Sequence, residues 1–158
     1  LFPGCRVEPV RGNVLTRLEK LDRGDYGALV LASAGLRRLG LEGRRSRLFS
    51  PEEMLPAAGQ GILAVQGRED FDRSLLREAE DKDATACALC ERAFVRFLDG
   101  GCSSPVAAYA QVDGETIRLR GLYWDETGWE IDEIRGSVTD AEELGIALAR
   151  TMAARRGK

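Results

Sequence analysis

The residues best equipped for chemistry are four cysteines, a set of arginines and one glutamine between two glycines. Cys102 follows Gly100-Gly101, which puts it on a loop rather than on the apolar face of a helix or strand. Glycines widen the backbone shapes available there and leave space beside the sulfur. A thiol becomes a nucleophile, or an anchor for a covalent group, where its thiolate is stabilised and accessible. The loop alone leaves two readings open, a functional thiol and a cysteine without a role. Cys87 and Cys90 form a C-x-x-C, but inside an amphipathic stretch with no second pair and no histidine to complete four zinc ligands. They are expected to be two small core-facing residues, with no metal site. Cys5 lies too near the terminus to carry a reading.

Histidine is absent from the chain. That excludes Ser-His-Asp and Cys-His catalysis within these residues. Residues 1–50 hold ten Lys/Arg against five Asp/Glu, whereas the rest holds thirteen against twenty-one. An arginine-rich half suits an anionic ligand, because guanidinium grips carboxylate or phosphate through a two-pronged fork. A solvated basic face is the other reading. Arg11 and Arg17 bracket an expected helix start, where free amides and the helix dipole favour anions. Arg37 and Arg38 follow an apolar run, near the expected ligand edge of a sheet, while Arg44, Arg45 and Arg47 read as solvated loop residues. Gly59-Gln60-Gly61 reads as a flexible joint bearing one polar side chain. No Walker loop or dinucleotide glycine fingerprint occurs.

With 158 residues, 44% hydrophobic and 31% charged, the chain has the composition of a globular protein of one ordinary or two small domains. No run approaches the length of a membrane span, and the first residues lack the pattern of a secretory signal. The cysteine count favours a reducing, cytoplasmic setting. A start without Met raises the expectation of a fragment.

Positioning these residues requires two kinds of unit. Residues 7–10 read as a short strand, and Asn13 caps a helix with Val14, Leu18 and Leu21 on one side. Residues 28–32 are a continuous apolar run, the mark of a strand buried on both faces. A short helix from Ser33 through Leu36 closes near Gly40. Residues 62–65 read as another strand, followed by a charged helix through Leu75 and Leu76. This alternation is α/β grammar. Two buried-type strands make a poor sheet, so neighbours are expected to be missing and the open edges to pair, with a second copy for example.

From Asp83 the grammar becomes α+β. Asp83 is expected to cap a helix to about Leu98. Strands follow over 106–112, 116–124 and 129–135, with Asp113-Gly114 a strong hairpin signal and Thr127-Gly128 a second turn. Thr139-x-x-Glu142 reads as a capping box opening a last helix through Leu144, Ile146, Leu148 and Met152.

Four segments carry a resemblance. They are VRGNVLTRLEKLD (residues 10–22), LASAGLRRLGL (31–41), LPAAGQG (55–61) and LDGGCSSP (98–105). In order and spacing they resemble porphobilinogen deaminase (hydroxymethylbilane synthase), and the likeness covers essentially the whole chain. The resemblance implies a transferase of tetrapyrrole and heme biosynthesis. It joins four porphobilinogens head to tail with release of ammonia, growing the chain on a dipyrromethane cofactor. Cys102 then corresponds to the cysteine that holds this cofactor by a thioether. Arg11, Arg17 and Arg38 correspond to arginines that bind acetate and propionate groups, and Gln60 to a glutamine at the pyrrole site.

The resemblance also implies an organisation. Residues 1–60 correspond to the C-terminal part of a periplasmic-binding-protein-like α/β domain 2. Residues 61–78 return to domain 1, and residues 79–158 form domain 3, with three antiparallel strands packed by helices. The family's catalytic aspartate lies in domain 1, so no catalytic residue is expected in this chain. The fragment alone is expected to be inactive and to lack the covalent dipyrromethane, its partners being porphobilinogen, the growing pyrrole chain and an N-terminal half. A non-catalytic remnant that binds carboxylated pyrroles, or such a half, is the alternative. The family is usually monomeric, and neither nucleic acid nor membrane is expected as a partner. Gln66 stands where the family usually has an acidic residue.

Overall fold

A computed structural model describes residues 3–98, 105–126 and 128–156. The chain divides into two compact units, residues 1–53 and 54–158.

In the first unit, helix α1 (Val14–Asp22) opens on Asn13, whose side chain accepts from the Thr16 amide at 2.9 Å. This is the cap the sequence requires, and Leu18 is the buried member of the apolar stripe. Helix α2 (Ser33–Arg38) buries Leu36 and ends at Gly40, whose φ of 67° is left-handed. Gly35 lies against Val14, where a Cβ would sit 3.4 Å from its methyl group.

The strands expected at residues 7–10, 28–32 and 62–65 do not form. These stretches have no ladder partner among the described residues, and Val30, Leu63 and Val65 are 60%, 84% and 70% exposed. The reason is that a strand buried on both faces is stable only between hydrogen-bonded neighbours, and no described segment supplies them. Their apolar character therefore survives without the element it specifies. The helix expected through Leu75 and Leu76 is instead a 3-10 turn over Arg73–Ala79, opened by Asp72 accepting from the Ser74 amide.

The second unit contains the α+β architecture expected. Helix α3 (Lys82–Phe97) is followed by the antiparallel meander β1 (Val106–Asp113), β2 (Thr116–Asp125) and β3 (Gly128–Ser137), then by helix α4 (Ala141–Arg155). Two caps differ from expectation. Asp81, not Asp83, caps α3 by accepting from the Ala84 amide. The Thr139–Glu142 capping box is not made, because Ser137 opens a 3-10 turn over Val138–Asp140 that leads into α4.

Alternation along β2 turns Ile117, Leu119, Gly121 and Tyr123 to the helices, where they meet Phe94, Leu148 and Met152 in one core. Two glycines set the approach of the layers. A Cβ on Gly121 would sit 2.4 Å from the Phe94 ring, and one on Gly145 would sit 2.3 Å from the Cys90 carbonyl oxygen. The two helices thus touch backbone to backbone at Gly145. Alanine there gains about 1 kcal/mol of helix propensity, but overpacking against a backbone atom costs about 1–3 kcal/mol. Gly145→Ala is expected to lower stability in urea unfolding by up to about 2 kcal/mol net.

Candidate functional site

In the first unit the structure separates the arginines into two sets. Arg23 pairs with Asp25, Arg44 with Asp22 and Arg47 with Glu53, and Arg45 donates to the Ser33 hydroxyl. Arg11, Arg17, Arg37 and Arg38 have no carboxylate partner among the described residues. Arg11 precedes the cap of α1 and is exposed, its carbonyl accepting from Lys20 Nζ at 3.1 Å. Half-buried Arg17 folds back on the same turn, its Nε donating to the Gly12 carbonyl at 2.7 Å. Arg37 and Arg38 are exposed at the carboxyl end of α2, where they also complement the helix dipole. No acidic residue occupies the first turn of α1 or α2.

In the second unit, exposed Gln60 rides on a tight turn. Gly59 and Gly61 have φ of 74° and 87°, a region closed to most side chains. The Gln60 amide donates to the Ala57 carbonyl at 3.0 Å and that of Ile62 to the Gly59 carbonyl at 3.1 Å. The flexible joint read from the sequence is thus, as folded, a defined pair of turns. Cys102 and the glycines before it lie outside the described residues. What is described is the pair of elements on either side: α3, ending at Phe97, and β1, beginning at Val106.

Glu91 is a residue that the sequence reading passed over. It is 3% exposed, on α3 between Cys90 and the Ala93-Phe94 core face. Its two carboxylate oxygens divide their work. Oε2 accepts from the Gly59 amide at 2.6 Å and Oε1 from the Ala110 amide on β1 at 2.7 Å. Burial pushes the Glu91 carboxyl above its ordinary value, and the two amide donors pull it partway back. The signal was present: a carboxylate beside the apolar stripe of an amphipathic helix is out of place unless it has buried donors.

Cys90 is fully buried and Cys87 partly so, both as free thiols on α3. Burial pushes the Cys90 thiol up to about 12, and the Cys87 thiol upward as well. These are packing residues with little thiolate to offer, whereas Cys5 is exposed. Among the described residues no group of three His, Cys, Asp or Glu side chains could hold a metal ion. No described helix is long and apolar enough to cross a membrane.

Comparison with known proteins relates the sequence to one enzyme class. Residues 1–76 match the family model described as porphobilinogen deaminase, dipyromethane cofactor binding domain, and residues 85–154 match porphobilinogen deaminase, C-terminal domain. The chain is thus similar throughout to a cofactor-bearing transferase. Proteins named porphobilinogen deaminase from Acetivibrio thermocellus, Alkaliphilus oremlandii and Bordetella parapertussis are 54%, 52% and 46% identical to it, over 96%, 96% and 97% of its length. The chain belongs to the porphobilinogen deaminase family. It spans about half the length of these relatives, 52%, 52% and 50% respectively.

Two outcomes follow from the buried groups. Iodoacetamide at pH 8 should label Cys5 in the folded chain and leave Cys90 unmodified until denaturant is added, as read by peptide mass. The Glu91 carboxyl carbon should titrate by NMR above the ordinary 4.5. The folded state then holds this proton more tightly than the unfolded chain. The contribution of Glu91 to stability is therefore full below 4.5 and falls as pH rises toward the folded midpoint.

Proposed function

We propose that this chain supplies the carboxylate-binding and cofactor-anchoring part of a porphobilinogen deaminase, which joins four porphobilinogens into hydroxymethylbilane with release of ammonia. The observation that carries this reading is the set of arginines without carboxylate partners, Arg11, Arg17 and Arg38, in a unit whose loop arginines Arg44 and Arg47 are ion-paired. Each pyrrole brings an acetate and a propionate. Guanidinium groups lacking an internal anion, beside helix α1 with no acid in its first turn, are matched to that charge.

In this reading Gln60 presents its amide to a pyrrole ring from a turn fixed by Gly59 and Gly61. Cys102 is the thioether anchor of the dipyrromethane, which when bound supplies the free pyrrole end on which the chain grows. The donor set fits such a group in its chemistry: a cysteine for the covalent bond and arginines for its carboxylates. The family description assigns the cofactor to the stretch of residues 1–76, which contains the arginines, while Cys102 lies in the second matched stretch.

The unpaired apolar runs at residues 28–32 and 62–65 support the same reading. We assign residues 1–60 to a periplasmic-binding-protein-like α/β domain 2, residues 61–78 to a segment of domain 1, and residues 79–158 to domain 3. The runs become strands when an N-terminal half supplies their neighbours. Proton transfer to and from the pyrrole nitrogens requires an acid–base group that neither the arginines nor Cys102 provides, and we assign it to that half.

Residues 1–158 produced alone are therefore expected to show no deaminase turnover and an intact mass without added dipyrrole. Mixing with the N-terminal half of a relative should restore turnover. A stable dipyrrole on Cys102 of the chain alone would contradict the assignment, and failure to restore turnover would favour a non-catalytic remnant. Porphobilinogen should bind the chain in calorimetry, and Arg11→Gln or Arg38→Gln should weaken it about tenfold, the worth of one charge-assisted hydrogen bond.

A further inference from the structure

Glu91 is the buried charged residue of the described core, and its place in the fold asks for an explanation. Strand β1 is an edge of the sheet, so the amides of Ala108 and Ala110 point away from β2. The Ala108 amide donates to the Pro56 carbonyl at 3.2 Å. Edge protection of Ala110 by itself calls for one acceptor, and a water or a neutral side chain would serve. The structure instead spends a carboxylate taken almost wholly out of water, an arrangement that costs several times a neutral cap. Its second oxygen goes to Gly59, the residue immediately before Gln60.

Three parts of the unit meet at this side chain. Glu91 stands on α3, Ala110 is on β1, and Gly59 opens the turn of Gln60. An ionised carboxylate is acceptor-only, so it satisfies two amides at once. A glutamine in its place offers one acceptor and turns an NH2 group against the other amide.

We propose that Glu91 is a positioning residue of the pyrrole site: its carboxylate fixes the Gln60 turn against α3 and β1. This rests on the assignment of Gln60 made above. The Pro56–Ala108 hydrogen bond sets the direction from which the turn arrives.

The test uses residues 1–158 with Glu91→Gln, Glu91→Asp and Gln60→Ala, and porphobilinogen as the probe. Amide hydrogen exchange at Gly59 and Ala110 should speed up about tenfold or more in both Glu91 variants, the loss of one charge-assisted hydrogen bond. Protection at Ile117 and Leu119 reports that the core remains folded. Glu91→Asp keeps the charge but is one methylene short, so it should resemble Glu91→Gln. In calorimetry Glu91→Gln should weaken porphobilinogen binding, and the loss should vanish in the Gln60→Ala background, because Glu91 acts through that side chain. Unchanged exchange at Gly59, wild-type behaviour of Glu91→Asp, or an equal loss in both backgrounds would overturn the proposal. Absence of porphobilinogen binding by the unmodified chain would instead overturn the reading of Gln60, with the exchange arm still deciding whether Glu91 holds the turn.

Discussion

A carboxylate removed from water must find donors or be neutralised, and that constraint organises the second unit around Glu91. Two backbone amides from distant parts of the chain converge on its oxygens at 2.6 and 2.7 Å. One belongs to an edge strand that would otherwise present an unpaired amide, the other to a glycine at positive φ. Each amide left without its acceptor costs about 1–3 kcal/mol, so the bridge is comparable to a sizeable share of the stability of a small domain. The core packs around this bridge: Phe94 lies one helical turn beyond Glu91, against Gly121, and Gly145 brings α4 onto the backbone of α3 at Cys90. Helix, sheet edge and turn are held in register by polar contact on one side and apolar packing on the other.

The first unit depends on a different balance. Its arginines divide by partner rather than by position in sequence. Those in the loop after α2 meet Asp22, Glu53 or Ser33 and Arg23 meets Asp25, whereas Arg11, Arg17, Arg37 and Arg38 meet no carboxylate among the described residues. Surface pairs of this kind add little to stability. Arg11, Arg17, Arg37 and Arg38 are left without a carboxylate partner among the described residues. In the function proposed above that surplus has a chemical object, since porphobilinogen and its oligomers are polycarboxylates.

Much of this architecture was readable before the structure. The meander was announced by three successive strand-length segments and by Asp113-Gly114, and Gly114 takes the positive φ of 60° that such a turn requires. Asn13 as a cap, Gly40 as a stop and Cys90 as a core residue follow from side-chain chemistry alone. The strands at residues 7–10, 28–32 and 62–65 were readable as patterns but not as structure. Apolar content is a local property, whereas a ladder needs a partner that no described residue supplies. The two displaced helix starts have a local cause: Asp81 accepts from the Ala84 amide and Ser137 from the Thr139 amide, so each turn opens two residues before the expected cap. Glu91 escaped because a charged residue on an amphipathic helix is ordinarily solvated. Only the fold shows that Gly59 and Ala110 come to it. Arg11, Arg17, Arg38, Gln60 and Cys102 were nominated through the family resemblance of the segments that hold them, but the contrast between paired and unpaired arginines belongs to three dimensions.

The most direct measurement is a two-dimensional amide NMR titration of residues 1–158 with porphobilinogen. The account predicts perturbations concentrated at residues 11–17, 37–40 and 59–61, with the ion-paired loop at residues 44–47 unmoved. Perturbation of the 44–47 loop with silence at Arg11, Arg17 and Gln60, or no perturbation at all, would contradict it.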